Sequence, residues 1–203
     1  MAAIKVLIEG VHKLNADETV EVFCTTTLIK SDINILVDPG SFINKDNLIK
    51  ELADEGLKPE DIQAVILTHT HIDHTTNLCF FSHAKIYNRL IGGTNYKGQY
   101  QLINKGLVRR FDILNEPIAK DVKIIETQGH SIDSITVLVD TKDGIVAISG
   151  DAIANESFSD LNKQPDVNLV YSMEKYNESR ERIHTVADWI IPGHGKMFKV
   201  NKA

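Results

Sequence analysis

A chain of 203 residues that is 42% hydrophobic and carries a net charge of −6 has enough apolar material for one packed core, and it lacks the positive field that bulk attraction to a polyanion requires. Cys24 and Cys79 both sit in apolar or β-prone runs, and against the alternative of a single disulfide they read as free buried thiols in a reducing cytosol, Cys79 as a small core hydrophobe. With no apolar run near the roughly 20 residues of a membrane span and no signal pattern at the N-terminus, the expectation is one cytoplasmic domain, 1–203, without a membrane partner.

Residues 4–9, 19–30 and 33–37 are rich in β-branched side chains, and turn-prone 15–18 and 31–32 separate them, which predicts three strands. Asp38-Pro39-Gly40 stops the third. Leu48, Ile49, Leu52 and Ala53 share one face of a helix predicted over 45–55, with Gly56 as its exit. The turn signal at 58–61 leads into the apolar run 62–67, a buried strand. The second half repeats this grammar. Strands are predicted at 122–126, 135–139 and 145–148, with 141–144 as a hairpin turn, and a helix at 172–187 carries Tyr176, Ile183, Val186 and Ala187. A last short strand, 189–191, closes on Pro192-Gly193. Strands followed by helices in each half imply an α/β sandwich with the helices outside.

The chemistry concentrates after the run 62–67. His69, His71, Asp73 and His74 stand within six residues, although histidine occurs only 8 times in the chain. Alternation past a strand end points His69 and His71 to one side, and a helical turn after them aims Asp73 and His74 at a second position. Two metal subsites a few ångströms apart follow from that spacing. A polar surface loop is the bland alternative, and the density of ligands argues against it. His130, Asp151 and His194 each follow a predicted strand and a glycine, which lets the backbone turn tightly and approach a common site. His12, His83 and His184 read as packing or solvent-facing residues.

These residues resemble the metallo-β-lactamase superfamily, whose five motifs occur here in order: Asp38 in Val37-Asp38-Pro39-Gly40, the segment His69–His74, His130, Asp151 and His194. The resemblance implies a four-layer αββα sandwich with the site at one edge. It implies that His69, His71 and His130 hold one metal, that Asp73, His74 and His194 hold the second, and that Asp151 bridges them. Asp38 would support the histidine segment from behind the ligands. Two divalent cations are expected, Zn²⁺ first and Fe or Mn as alternatives, because the ligands are nitrogen and oxygen. The implied activity is hydrolysis by a metal-bridging hydroxide, with Asp151 holding the metals and Asp73 or a metal-bound water returning a proton. The flanking segments 6–10, 77–81 and 179–195 resemble a narrower branch of the superfamily, which implies a ribonuclease acting on histone pre-mRNA. Asp151 stands where the dinuclear β-lactamases use cysteine, which turns the expectation away from antibiotic hydrolysis.

The substrate is less legible. From His74 to Phe111 the chain has no acidic residue, while basic and tyrosine side chains alternate, among them Tyr96, Lys97, Arg109 and Arg110. That stretch is a candidate grip for phosphates and bases, with a mobile loop at Gly92-Gly93, and the polar segment 155–168 is a second candidate rim. A solvated face is the plain alternative. The leading expectation is therefore a phosphodiester or RNA substrate, with a small-molecule ester, thioester or lactone as runner-up. A mononuclear iron persulfide dioxygenase shares the same motif positions and is the alternative from another class. The sequence leaves a homodimer open.

Overall fold

The computed structural model describes residues 1–89, 93–96, 99–102 and 118–202, the second and third of these ranges as backbone only. Among the described residues the first half contains β1 (Ala3–Ile8), β2 (Val11–Leu14), β3 (Val20–Phe23), β4 (Thr26–Lys30), β5 (Asn34–Val37), α1 (Lys45–Asp54), β6 (Ala64–Ile66), α2 (Ile72–Thr75), β7 (Lys85–Asn88), β8 (Gly93–Tyr96) and β9 (Gln99–Leu102). The second half contains β10 (Val122–Glu126), β11 (Ile135–Thr141), β12 (Gly144–Gly150), α3 (Met173–Val186), β13 (Trp189–Pro192) and β14 (Phe198–Lys199). One sheet runs β1-β4-β5-β6-β7-β8-β9, the other β10-β11-β12-β13-β14, and β2 and β3 form a separate hairpin.

Alternation along the central strands builds the layers. Ile35 and Val37 of β5, Ala64 and Ile66 of β6, and Val146 and Ile148 of β12 point into one core between the sheets. Their neighbours face the other way. Leu36 and Val65 pack with Leu48 and Leu52 of α1, while Ala147 and Ile190 pack with Ile183 and Ala187 at the end of α3. Strands buried on both faces lose the apolar–polar alternation of a half-exposed sheet, which is why 62–67 reads as a continuous apolar run. Each fully buried Val, Leu or Ile contributes roughly 1.5–3 kcal/mol. The result is an αββα sandwich. No helix among the described residues is long and apolar enough to cross a membrane.

Strand direction positions the site. β5 and β6 run parallel, as do β12 and β13. β10 also runs with β12, because both are antiparallel to β11. Asp38, the His69–His74 segment, His130, Asp151 and His194 therefore all follow the C-terminal ends of strands, where α/β sheets open their clefts.

Three sequence expectations need correction. The strand expected over 19–30 is two strands. At Thr25 the ladder gives way to long-range bonds, since Thr25 N donates to Gly193 O at 2.6 Å and Gly10 N donates to Thr25 Oγ1 at 3.1 Å. Gly93 opens β8 opposite Asn88 instead of lying in a loop, and Gly92 is outside the described residues. The Asn, Gln and Thr content of 93–102 hides these strands from an apolar pattern. Cys79 is exposed, because the 3-10 turn Thr76–Phe81 turns Phe81 inward and Cys79 out. Cys24 is buried, and both thiols are free.

Candidate metal centre

Seven side chains converge in two groups, His69, His71, His130 and Asp151 in one and Asp73, His74 and His194 in the other, with one ligand atom from each residue of a group lying within 4.8 Å of the rest. In the first group His130 Nε2 is 3.0 Å from His71 Nδ1 and 3.4 Å from Asp151 Oδ2. In the second, Asp73 Oδ2 is 3.6 Å from His74 Nε2 and 3.7 Å from His194 Nε2. Asp151 faces both. Its Oδ1 is 3.2 Å from His194 Nε2 and 3.5 Å from His74 Nε2, and its Oδ2 is also 4.0 Å from His69 Nε2.

These separations match a cation's needs. Ligands at about 2.0–2.1 Å around a tetrahedral ion stand about 3.3 Å from one another. Three of the atoms are also orphans: the buried His69 Nε2, His74 Nε2 and Asp151 Oδ1 have no hydrogen-bond partner. Leaving such groups buried and unpaired costs about 1–3 kcal/mol each, so the donor set fits a cation.

Hydrogen bonds behind the ligands decide which nitrogen each imidazole offers. Asp38 Oδ2 accepts from His74 Nδ1 at 2.8 Å, and Phe23 O accepts from His194 Nδ1 at 2.9 Å, so both rings turn Nε2 to the centre, bare once a cation displaces its proton. Thr68 N and Oγ1 donate to Asp38 at 2.7 and 2.6 Å. Having spent its only proton there, Thr68 Oγ1 accepts from His69 Nδ1 at 3.2 Å, which bares His69 Nε2 as well. Asp38 serves these contacts from a left-handed backbone, φ 51°, a strained conformation of the kind that gathers at functional sites.

Glycine brings the loops close. Gly150 has φ 50° immediately before Asp151. Gly193 has no room for a side chain, since a Cβ there would collide with Asp151 Oδ1.

The electrostatics divide the cluster. Burial, with neighbouring imidazoles, holds His69 well below the ordinary histidine value and lowers His130 too. Burial would also lower His74 and His194, but carboxylates outweigh it: Asp38 and Asp151 hold His74 well above the ordinary value, and Asp151 raises His194. The Cys24 thiol beside His74 is pushed up to about 11 by burial, so it is neutral at pH 7 and supplies no charge. Burial opposes ionisation of Asp151, yet His194 and His74 hold it well below the usual carboxylate range.

Several participants were not singled out by sequence. Asp133 is buried and accepts from Thr70 Oγ1 at 2.8 Å and Ser131 Oγ at 2.7 Å, tying the His69–His71 loop to the His130 loop. His12, expected to be a bystander, stacks edge-on to His194 with centroids 5.8 Å apart and lines the same cavity of about 570 Å³. Asn168 of the polar rim segment lines it too. Of the expected substrate contacts, Lys97, Arg109 and Arg110 lie outside the described residues, and Tyr96 is described only as backbone of β8. Arg89, from the same basic stretch, is buried: it donates to Glu126 at 3.0 Å and to Ile132 O at 2.6 Å.

The sequence profile of the Metallo-beta-lactamase superfamily matches residues 19–194. The chain is 33% identical over 201 residues to metallo-beta-lactamase domain-containing protein 1 of Xenopus laevis, covering 98% of this chain and 82% of the frog protein. It is 31% identical to the Rattus norvegicus protein of the same name, covering 82% of this chain but only 63% of the rat protein. Among solved structures it is similar to a Thermotoga maritima protein described as a metallo-beta-lactamase, with a TM-score of 0.71, 25% identity, and coverage of 98% of this chain and 99% of that one.

Proposed function

The chain belongs to the metallo-beta-lactamase superfamily and is a metal-dependent hydrolase, and from that premise we propose that it holds two divalent cations and hydrolyses an ester-type bond. The observation that carries this reading is Asp151, whose carboxylate reaches imidazoles of both groups: Oδ2 stands 3.4 Å from His130 Nε2, and His194 Nε2 lies 3.2 Å from Oδ1 and 3.3 Å from Oδ2. His69, His71 and His130 would hold one cation, Asp73, His74 and His194 the other, with Asp151 shared. The nitrogen and oxygen donors suit Zn²⁺ first. Bound there, the cations supply Lewis acidity, which lowers the pKa of water from about 15.7 toward about 7 and polarises the scissile bond.

The protein's own part is orientation and proton handling. Asp38 keeps Nδ1 of His74 protonated, and Phe23 O does the same for His194, so neither ring can turn its bare nitrogen away. Asp73 lines the cavity beside the cluster, and it or a metal-bound water would return a proton to the leaving atom. Asp151→Ala is expected to reduce turnover by about 1000-fold or more while circular dichroism stays native. Full activity in that variant would contradict the bridging role. Metal analysis supplies the second test: two cations per chain are expected, whereas about one iron with oxygen uptake on glutathione persulfide would replace a hydrolase by a dioxygenase.

On substrate class, a phosphodiester or RNA remains the second reading, supported by Lys97, Arg109 and Arg110 in the sequence. The cavity wall favours an acyl compound, because among the described residues that line it there is no Lys or Arg to meet a phosphate. Zinc-loaded protein assayed against p-nitrophenyl esters, a lactone, bis-p-nitrophenyl phosphate and RNA separates the two.

A further inference from the structure

The imidazoles of the cluster are not braced alike. Behind His74, His194 and His69 stand Asp38, Phe23 O and Thr68 Oγ1, each fixing one ring through its Nδ1. His71 has no such support. Among the described residues its ring hydrogen-bonds only with His130, Nδ1 to Nε2 at 3.0 Å, and His130 is itself one of the cluster. A metal-bound imidazole ordinarily gives its other nitrogen to a carboxylate or carbonyl, which holds the ring in place. His71 is also exposed, so its placement depends on the backbone that carries it.

Asp133 holds that backbone. Thr70, between His69 and His71, donates through Oγ1 to Asp133 Oδ2 at 2.8 Å. Ser131, next to His130, donates through Oγ to Asp133 Oδ1 at 2.7 Å. One carboxylate thus takes a bond from each loop. Asp133 is 3% exposed, and among the described residues these two hydroxyls are its only hydrogen-bond donors. A carboxylate is costly to bury without donors, so letting go of either loop carries a penalty. Ser131 is fixed in turn, because its N donates to Ser134 Oγ at 3.2 Å. The backbone bond from Ile135 N to Thr68 O joins the two segments at their strands, whereas the Thr70–Asp133 bond joins them beside the ligands. Asp133 is not among the residues lining the cavity, and it belongs to neither ligand group.

We propose that Asp133 is the positioning residue for the cation held by His69, His71 and His130. By clamping Thr70 to Ser131 it sets the separation of the His71 and His130 rings, and through it the affinity of that cation. The proposal rests on the two-cation reading above and gives a part to a residue which that reading leaves out. His74 and His194 take their support from Asp38 and Phe23 O, so a loosened clamp leaves the second group in place.

The test loads zinc into wild type, Asp133→Ala, Thr70→Val and Thr70→Ser, each checked for fold by circular dichroism. Stepwise competition with a chromophoric chelator reads the affinities, and nitrogen-15 spectra of labelled histidine show which imidazoles are ligated. In Asp133→Ala and Thr70→Val one cation is expected to bind about 10- to 100-fold more weakly, with the other within about threefold of wild type. The signals of His71 and His130 are the ones expected to revert to unligated nitrogen. Thr70→Ser keeps the hydroxyl and is expected to stay within about threefold of wild type for both cations. Thr70→Val, nearly equal in size and at an exposed position, carries the test should Asp133→Ala not fold. Unchanged affinities in Thr70→Val, equal weakening of both cations, loss confined to His74 and His194, or a Thr70→Ser protein as weak as Thr70→Val overturns the clamp. Each of these leaves the two-cation reading standing. A wild-type protein that binds one zinc or none ends that reading and the clamp with it.

Discussion

Thr68 donates two hydrogen bonds to one carboxylate, and through that detail Asp38 governs the orientation of two imidazole rings. It orders the His74 ring directly and the His69 ring through the hydroxyl. Asp38→Ala is therefore expected to weaken metal binding about 10- to 100-fold, read by competition with a chromophoric chelator. Affinity within twofold of wild type would remove Asp38 from the site. The proton balance gives a second prediction. His74 and His194 sit above the ordinary value of 6.5 in the metal-free protein, so the stability they contribute is complete below the unfolded value and is lost as pH rises through their folded values. The melting temperature of chelated protein is expected to fall from about pH 6.5 upward. Metal affinity moves the opposite way, because cations must displace those protons and bind more tightly as pH rises. A metal-free melting temperature that climbs over the same interval would contradict this account.

At the scale of elements, the ligands stand where parallel strands end, and α3 fixes the loop between two of them. Ser172 caps that helix by accepting from Lys175 N. Arg180, fully buried on α3, donates to the carbonyls of Phe158, Asp160, Leu161 and Lys163 and to Asn177 Oδ1, and it lies over the Tyr176 ring at 4.8 Å. One guanidinium thus supplies donors to a segment that has no ladder of its own, the stretch that follows Asp151. Arg180→Ala is expected to cost about 3 kcal/mol or more by denaturant titration, since it strands buried carbonyls and empties packed volume. A loss under about 1 kcal/mol would mean that water replaces the guanidinium without penalty.

For the whole molecule the centre is a clasp between two sheets. His69, His71, Asp73 and His74 follow β6 of the first sheet, while His130, Asp151 and His194 follow strands of the second. Direct bonds cross at the same place: Ile135 N donates to Thr68 O at 2.8 Å, and Thr25 N to Gly193 O. A cation held there would bind the folded state alone. Chelation is expected to lower stability by about 2.7 kcal/mol for an ion present at 100 times its Kd, or roughly 5–10 °C in melting temperature for a chain of this size. Calorimetry with and without chelator measures it, and coincident melts would mean that the sandwich is indifferent to its metals.

The sequence by itself determined what local density can carry. Four ligands in six residues share a loop whatever the fold, a strand buried on both faces shows as an apolar run, and the glycines before Asp151 and His194 mark where the backbone must come close. It did not reveal that Arg89 is consumed by Glu126 and Ile132, that Asp133 braces Thr70, or that residues 19–30 break at Thr25. Nor did it show that His12 and Val22 face the cluster, which follows from their pairing in a hairpin and from the docking of that hairpin beside His194. Each of these is a contact across tens of residues, set by sheet register and by how two sheets close on one another. Local periodicity holds no record of either, so tertiary packing alone decided which side chains line the cavity.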